Sequence, residues 1–259
     1  MKLFSFVLFT LYASIVGKSQ QANNWDTTQT GFNCSAYGLF TDTINGYLYG
    51  GGNFQYAGGT YVGGIGQWNG TQWSALDSGL YVGNCAGFVR TITRFNNKIY
   101  AGGAFNNESS PSGIVVSNIA CWDGIKWDSV GSGANSTIFQ LKTYNGELYA
   151  CGGFNIIGGV QASCVAKYDG TSWYAIHDTA WGGFFVDVAV YQGEVYICGQ
   201  VGGHVYKFNG SGWQVVGGGI LGISSALSLE VYNNELYVGG AFFKTQGNAG
   251  NCVQKWNGT

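Results

Sequence analysis

Apolar and polar residues alternate in short runs along this chain, and no stretch keeps a helical period. Phe88–Phe95 (FVRTITRF) and Ile138–Tyr144 (IFQLKTY) show the pattern most clearly. Period-two runs of β-branched and aromatic residues mark half-buried strands. Five such runs end in an Asn-Gly, Asn-Asn or Gln-Gly pair, and each is followed by a second run carrying an anchor tyrosine. The anchors are Tyr49, Tyr100, Tyr149, Tyr196 and Tyr237, spaced 51, 49, 47 and 41 residues apart. After each anchor comes an aromatic residue with a turn pair: Trp68-Asn69-Gly70, Trp122-Asp123-Gly124, Tyr168-Asp169-Gly170, Phe208-Asn209-Gly210 and Trp256-Asn257-Gly258. In the first four units a second tryptophan follows, at Trp73, Trp127, Trp173 and Trp213.

Each unit therefore predicts four short strands, joined by tight turns of the type I′ class that Asn-Gly and Asp-Gly favour. Four-stranded units recurring every 40 to 50 residues predict an all-β fold, a five-bladed β-propeller with four-stranded blades. The fifth unit ends at Thr259 without its tryptophan strand, whereas Asn24–Gly31 has the look of one and belongs to no unit. Residues 20–31 are thus expected to supply the outer strand of the last blade and close the ring, leaving no open edge. Before them, Lys2, the apolar run Leu3–Val16 and the small residues Gly17 and Ser19 read as a signal peptide over residues 1–19. The expectation is a leader at 1–19, a propeller at 20–259, and a secreted or cell-surface location.

The repeat resembles that of secreted bacterial Kelch-like propeller proteins, whose units follow L-Y-V-G-G-x-F, then I-A-x-W-N-G-x-x-W-x-x-L-G-x-G. The second unit matches over Ile99–Phe105 (IYAGGAF) and Asn118–Gly133 (NIACWDGIKWDSVGSG). What the resemblance implies is a fold and a surface or secreted setting rather than a particular activity.

Composition narrows function mostly by exclusion. Only 9% of residues are charged and the net charge is −2, so nothing favours nucleic acid. No later apolar run reaches the length of a membrane span. The seven cysteines form no C-x-x-C pair and only His177 and His204 could join them, so neither a metal nor another cofactor is expected. They read as small buried hydrophobes with one or two bridges among them. No nucleophile or metalloprotease motif appears, and Asp123 and Asp169 recur where other units have Asn, which makes them turn residues and not acids.

Length variation falls on the loops between second and third strands and between units. That rim is where a binding surface is expected, with Trp181, Tyr56, Tyr61 and Tyr81 as aromatic contacts for a protein or glycan ligand. Asp42, Lys142, Asp187 and Glu230 are expected along a central channel, with Asp42, Lys142 and Glu230 at one level. They would form a structural ion-pair set or bind a small polar ligand. The functional expectation is a secreted, non-enzymatic binding or adhesion propeller. A propeller-fold carbohydrate-active enzyme, or a fragment of a longer surface protein, stands against it.

Overall fold

The computed structural model describes residues 31–82, 85–106, 115–176, 183–199, 203–218, 225–242, 252–256 and 258. The leader and nearly all of the expected closing strand lie outside them, as does Trp181.

Strand formation follows the sequence pattern unit by unit. The first strands are Ala36–Asp42, Phe88–Phe95, Ile138–Tyr144, Phe185–Tyr191 and Ser225–Tyr232. Their antiparallel partners are the anchor strands Tyr47–Gly52, Lys98–Asn106, Glu147–Gly152, Glu194–Gly199 and Glu235–Ala241. Third strands end on the repeated aromatic, and in four units a short tryptophan strand pairs outside them. In units two to five both central residues of the first turn have positive φ, as with Asn145 (47°) and Gly146 (76°). The turns before the tryptophan strands are built otherwise. The Asp123 carboxylate accepts from the backbone N–H of Ile125 and Lys126, and Asn69, Asp169 and Asn209 make the same two bonds. These side-chain turns explain why Asn and Asp interchange there.

The described strands form seven separate open sheets, antiparallel apart from one parallel bridge between Asn106 and Val82. First strands pack in sequence order, each against that of the next unit. The last sheet has three strands, ending with Val253–Lys255. No sheet is closed, and none joins the first and last units among the described residues. The expected five-bladed β-propeller is therefore corrected to an open succession of packed sheets, and the Kelch-like assignment falls with it. The reason is physical: the repeat specifies pairing within a unit and packing between neighbours, and an open stack satisfies both. Closure depends on a contact between chain ends that repetition does not encode.

Among the described residues four of the five apolar clusters lie between units, and the fifth lies within the first. One cluster joins Tyr49, Ile65 and Leu76 of the first unit to Ile92, Ala120 and Trp127 of the second. A second joins Phe95, Tyr100 and Cys121 to Ile138, Phe154 and Trp173, and two more continue the pattern toward Phe242. Trp127 also donates its indole N–H to the Leu76 carbonyl of the preceding unit, 3.0 Å away. The first unit is covered by Phe32, which stacks on Phe54 (4.1 Å between centroids) and tilts against Trp73.

One glycine holds every unit in shape. At Gly52, Gly103, Gly152, Gly199 and Gly240, three residues beyond the anchor tyrosine, an added Cβ would sit 1.9 to 2.6 Å from a carbonyl oxygen at the start of the first strand. That strand crosses so closely because it bulges there in all five units. Gly103→Ala should therefore cost about 3 kcal/mol or more, since backbone and not a pliant side chain must yield. Thermal unfolding should register it as a fall of roughly 6–12 °C, while Gly153→Ala, where an added Cβ would meet nothing closer than 3.6 Å, should show a clearly smaller fall.

Candidate functional site

Two of the expected charged groups meet a third across three units. Lys142 lies 3.5 Å from both Asp187 and Glu230 and donates to the Leu229 carbonyl at 2.6 Å. Asp187 is buried and also accepts from the backbone N–H of Val188 and of Leu229, each at 2.8 Å. Burial pushes its carboxyl above the usual range, while Lys142 and the two N–H groups pull the other way. Glu230 is different, with a side chain 72% exposed. Asp187 is thus spent on holding strands together, and Glu230 faces solvent.

The neighbouring levels explain how these groups converge. Register pairs Phe40, Thr93, Lys142, Ala189 and Glu230 with the five anchor tyrosines. Two residues earlier, Thr91 donates to the Gln140 side chain at 2.6 Å, and Ser228 reaches Asp187 at 3.4 Å. A polar belt therefore crosses units two to five, with its members bonded to one another.

Asp42 does not share the Lys142 level, which corrects that expectation. The first unit turns through four residues between Asp42 and Tyr47, whereas the third uses two between Tyr144 and Glu147. Counting from the turn thus displaces Asp42 by two positions, opposite Tyr47. There it is buried and takes a two-point bond from Arg94, at 3.0 and 2.6 Å.

Above the belt, toward the tight turns, a cavity of about 290 Å³ opens between units three, four and five. Lys142, Tyr144, Tyr149 and Glu230 supply its polar wall, and Val188, Val190 and Val231 part of its apolar one. The cavity lies at the end of the tight turns, away from the long-loop rim where a pocket was expected. The rim residues are placed elsewhere. Tyr56 and Tyr61 pair on a two-stranded hairpin, both more than 40% exposed with rings edge to face at 5.4 Å. Tyr81 lies in the short strand Tyr81–Val82. Without a closed ring these aromatics do not share a propeller rim, and the rim-binding propeller expectation is withdrawn with the ring.

A repeated constellation escaped the sequence reading. Tyr149, Tyr196 and Tyr237 each donate to a glutamate two residues before them, and that glutamate also holds a lysine of the third strand. Burial first, then the carboxylate, raises the Tyr196 hydroxyl to about 12. The Glu-x-Tyr triplets of units three to five carried this signal. Cys34, Cys121, Cys151, Cys164, Cys198 and Cys252 are free thiols, and Cys121, Cys151, Cys164 and Cys198 are buried. Burial pushes the Cys151 thiol well up, which suits packing rather than nucleophilic chemistry. Among the described residues no group of three His, Cys, Asp or Glu is placed to hold a metal ion, and no helix is long and apolar enough to cross a membrane.

The Asp42–Arg94 bond yields a pH prediction. Burial raises the Asp42 carboxyl, but Arg94 and the N–H groups of Ile44 and Asn45 outweigh it, so the folded value lies below the ordinary 3.8. This contribution is fully present above that ordinary value and is lost as pH falls through the lower folded one. Asp42→Asn should cost about 3 kcal/mol at neutral pH by stranding Arg94, and in denaturant titrations the gap from the parent should narrow on acidification below pH 4. Comparison with known families finds no matching family model, and comparison with curated proteins finds no match, so the site's own geometry carries the functional argument.

Proposed function

We propose that this protein is an exported, non-catalytic binding protein that takes a short neutral saccharide in the cavity beside Lys142. The observation carrying this reading is that cavity, with Lys142, Glu230 and Tyr144 on its wall. Its volume is close to the lower end of ordinary small-molecule sites. Lys142 offers donors and Glu230 acceptors, so a pair of vicinal hydroxyls would find both. Lys142 already has two carboxylates beside it, so an anionic ligand would meet an excess of negative charge; a neutral polyhydroxylated one would not. Tyr144 adds a partly buried ring against which a sugar face packs. A catalytic role is disfavoured because Asp187 is already committed to Lys142 and two backbone N–H groups and does not line the cavity. Export rests on the leader read at residues 1–19 and agrees with a saccharide ligand.

A panel of mono- and disaccharides, titrated calorimetrically, tests this. At least one neutral sugar should bind, and Glu230→Gln should weaken it about 10-fold, a loss of ~1.4 kcal/mol. Because Glu230 is exposed, the thermal midpoint should stay within about 2 °C of the parent. Binding that survives both Glu230→Gln and Tyr144→Ala, or a panel with no binder, would refute the saccharide reading.

A further inference from the structure

At the opposite end of the first strands, the five bulges place five side chains at equivalent positions. Register shifts between Ala36 and Gly38, Gly102 and Gly103, Ile138 and Gln140, Phe185 and Asp187, and Ala226 and Ser228 leave Tyr37, Arg90, Phe139, Val186 and Leu227 unpaired in the ladder. A bulge re-aims the side chain it carries, and such residues gather beside functional sites. Four of the five are apolar or aromatic; one is a cation.

Arg90 is clamped. Its guanidinium carbon lies 5.4 Å from the Tyr37 ring centre and 4.8 Å from that of Phe139. Phe184 stands 5.0 Å from Phe139, and Phe88 6.1 Å from Tyr37. The strand approaches closely enough that a Cβ at Gly38 would sit 2.8 Å from the Arg90 carbonyl. Six of the described Lys and Arg side chains make ion pairs. Arg90 makes none among the described residues, and its Nε is buried without a hydrogen-bond partner there. The ring quadrupoles attract the cation but accept no conventional hydrogen bond from Nε.

We propose that Tyr37, Arg90 and Phe139 form a receptor for a small aromatic carboxylate, distinct from the saccharide cavity. Arg90 is only partly buried, so its terminal N–H groups, rather than the covered Nε, are what a planar carboxylate would meet with two parallel bonds. The surrounding rings, with Tyr37 47% and Phe88 39% exposed, offer the ligand's body an aromatic seat. Phe184 beside Phe139 is aromatic as well, which favours a ring over a hydrated body such as a sugar acid. The patch is a few side chains wide, which suits a small molecule and not a macromolecular surface.

Benzoate titrated into isotopically labelled protein tests this directly. The Arg90 Nε–H resonance should shift saturably with benzoate, and equal concentrations of benzyl alcohol or acetate should bind at least 10-fold more weakly. Arg90→Lys keeps the charge without the fork and should weaken benzoate at least 10-fold, as should Tyr37→Leu at its exposed position. Glu230→Gln should leave benzoate binding unchanged, which separates this site from the saccharide cavity. Equal response to benzyl alcohol would leave only a greasy patch, and equal response to acetate would remove the aromatic seat. Either outcome, or benzoate binding indifferent to Arg90→Lys, overturns the proposal.

Discussion

The structure depends on a backbone crossing that only glycine permits. In each unit the carbonyl at the entry to the first strand, from Ser35, Phe88, Thr137, Phe184 or Ser225, passes where a Cβ of the anchor strand would be. The bulge in the first strand brings that carbonyl so close, and it bends the strand as well. One residue earlier, a Cβ at Gly51 would sit 2.6 Å from Val89 of the next unit, and one at Gly102 would sit 2.8 Å from Ile138. The same sequence position is Cys151 or Cys198 in later units, where the thiol is buried. A Tyr-x-x-Gly stretch thus serves two jobs: its last residue shapes its own sheet, and the one before it admits the neighbour.

Because four of the five apolar clusters among the described residues span neighbouring units, most of each sheet's apolar burial depends on its neighbours. A four-stranded sheet of three- to nine-residue strands has two faces to cover, and its neighbours cover them. Polar groups trapped along the first strands must then be satisfied across the same seams. Asp42 with Arg94, Thr91 with Gln140, and Asp187 with Lys142 and the Leu229 amide are all contacts between successive or next-but-one units. Such bonds add little net stability over an apolar seam, but removing one partner is costly. They therefore fix which residue faces which more than they hold the units together.

Much of this was legible from local signals. Alternation located the first strands, the tyrosines located their partners, and positive-φ turn residues located the hairpins. Asp123 and Asp169 were recognisable as turn residues because Asn replaces them elsewhere, and their carboxylates bind backbone N–H groups. Closure was illegible, since it is a relation between the two ends of a repeat whose every signal is local. The level of Asp42 was missed because the first unit's turn is two residues longer than that of the third. The site at Arg90 was hidden for a different reason. Strict alternation puts Arg90 and Arg94 on one sheet face, but the bulge between Val89 and Thr91 breaks the period, and a period-two reading has no symbol for a bulge.

The two ends of the first strands consequently differ in electrostatic character, although one repeat generates both. At the turn end the chain is regular, side chains alternate, and the cation Lys142 of one unit finds carboxylates of the next ones before any ligand arrives. At the bulge end the extra residue stands outside the ladder, where no cross-strand partner is provided for it. An apolar side chain tolerates that position, as Val186 and Leu227 do, while a cation is left with ring faces and an unmet N–H edge. The same strands supply both ends, and the bulge decides which side chains meet a partner of opposite charge.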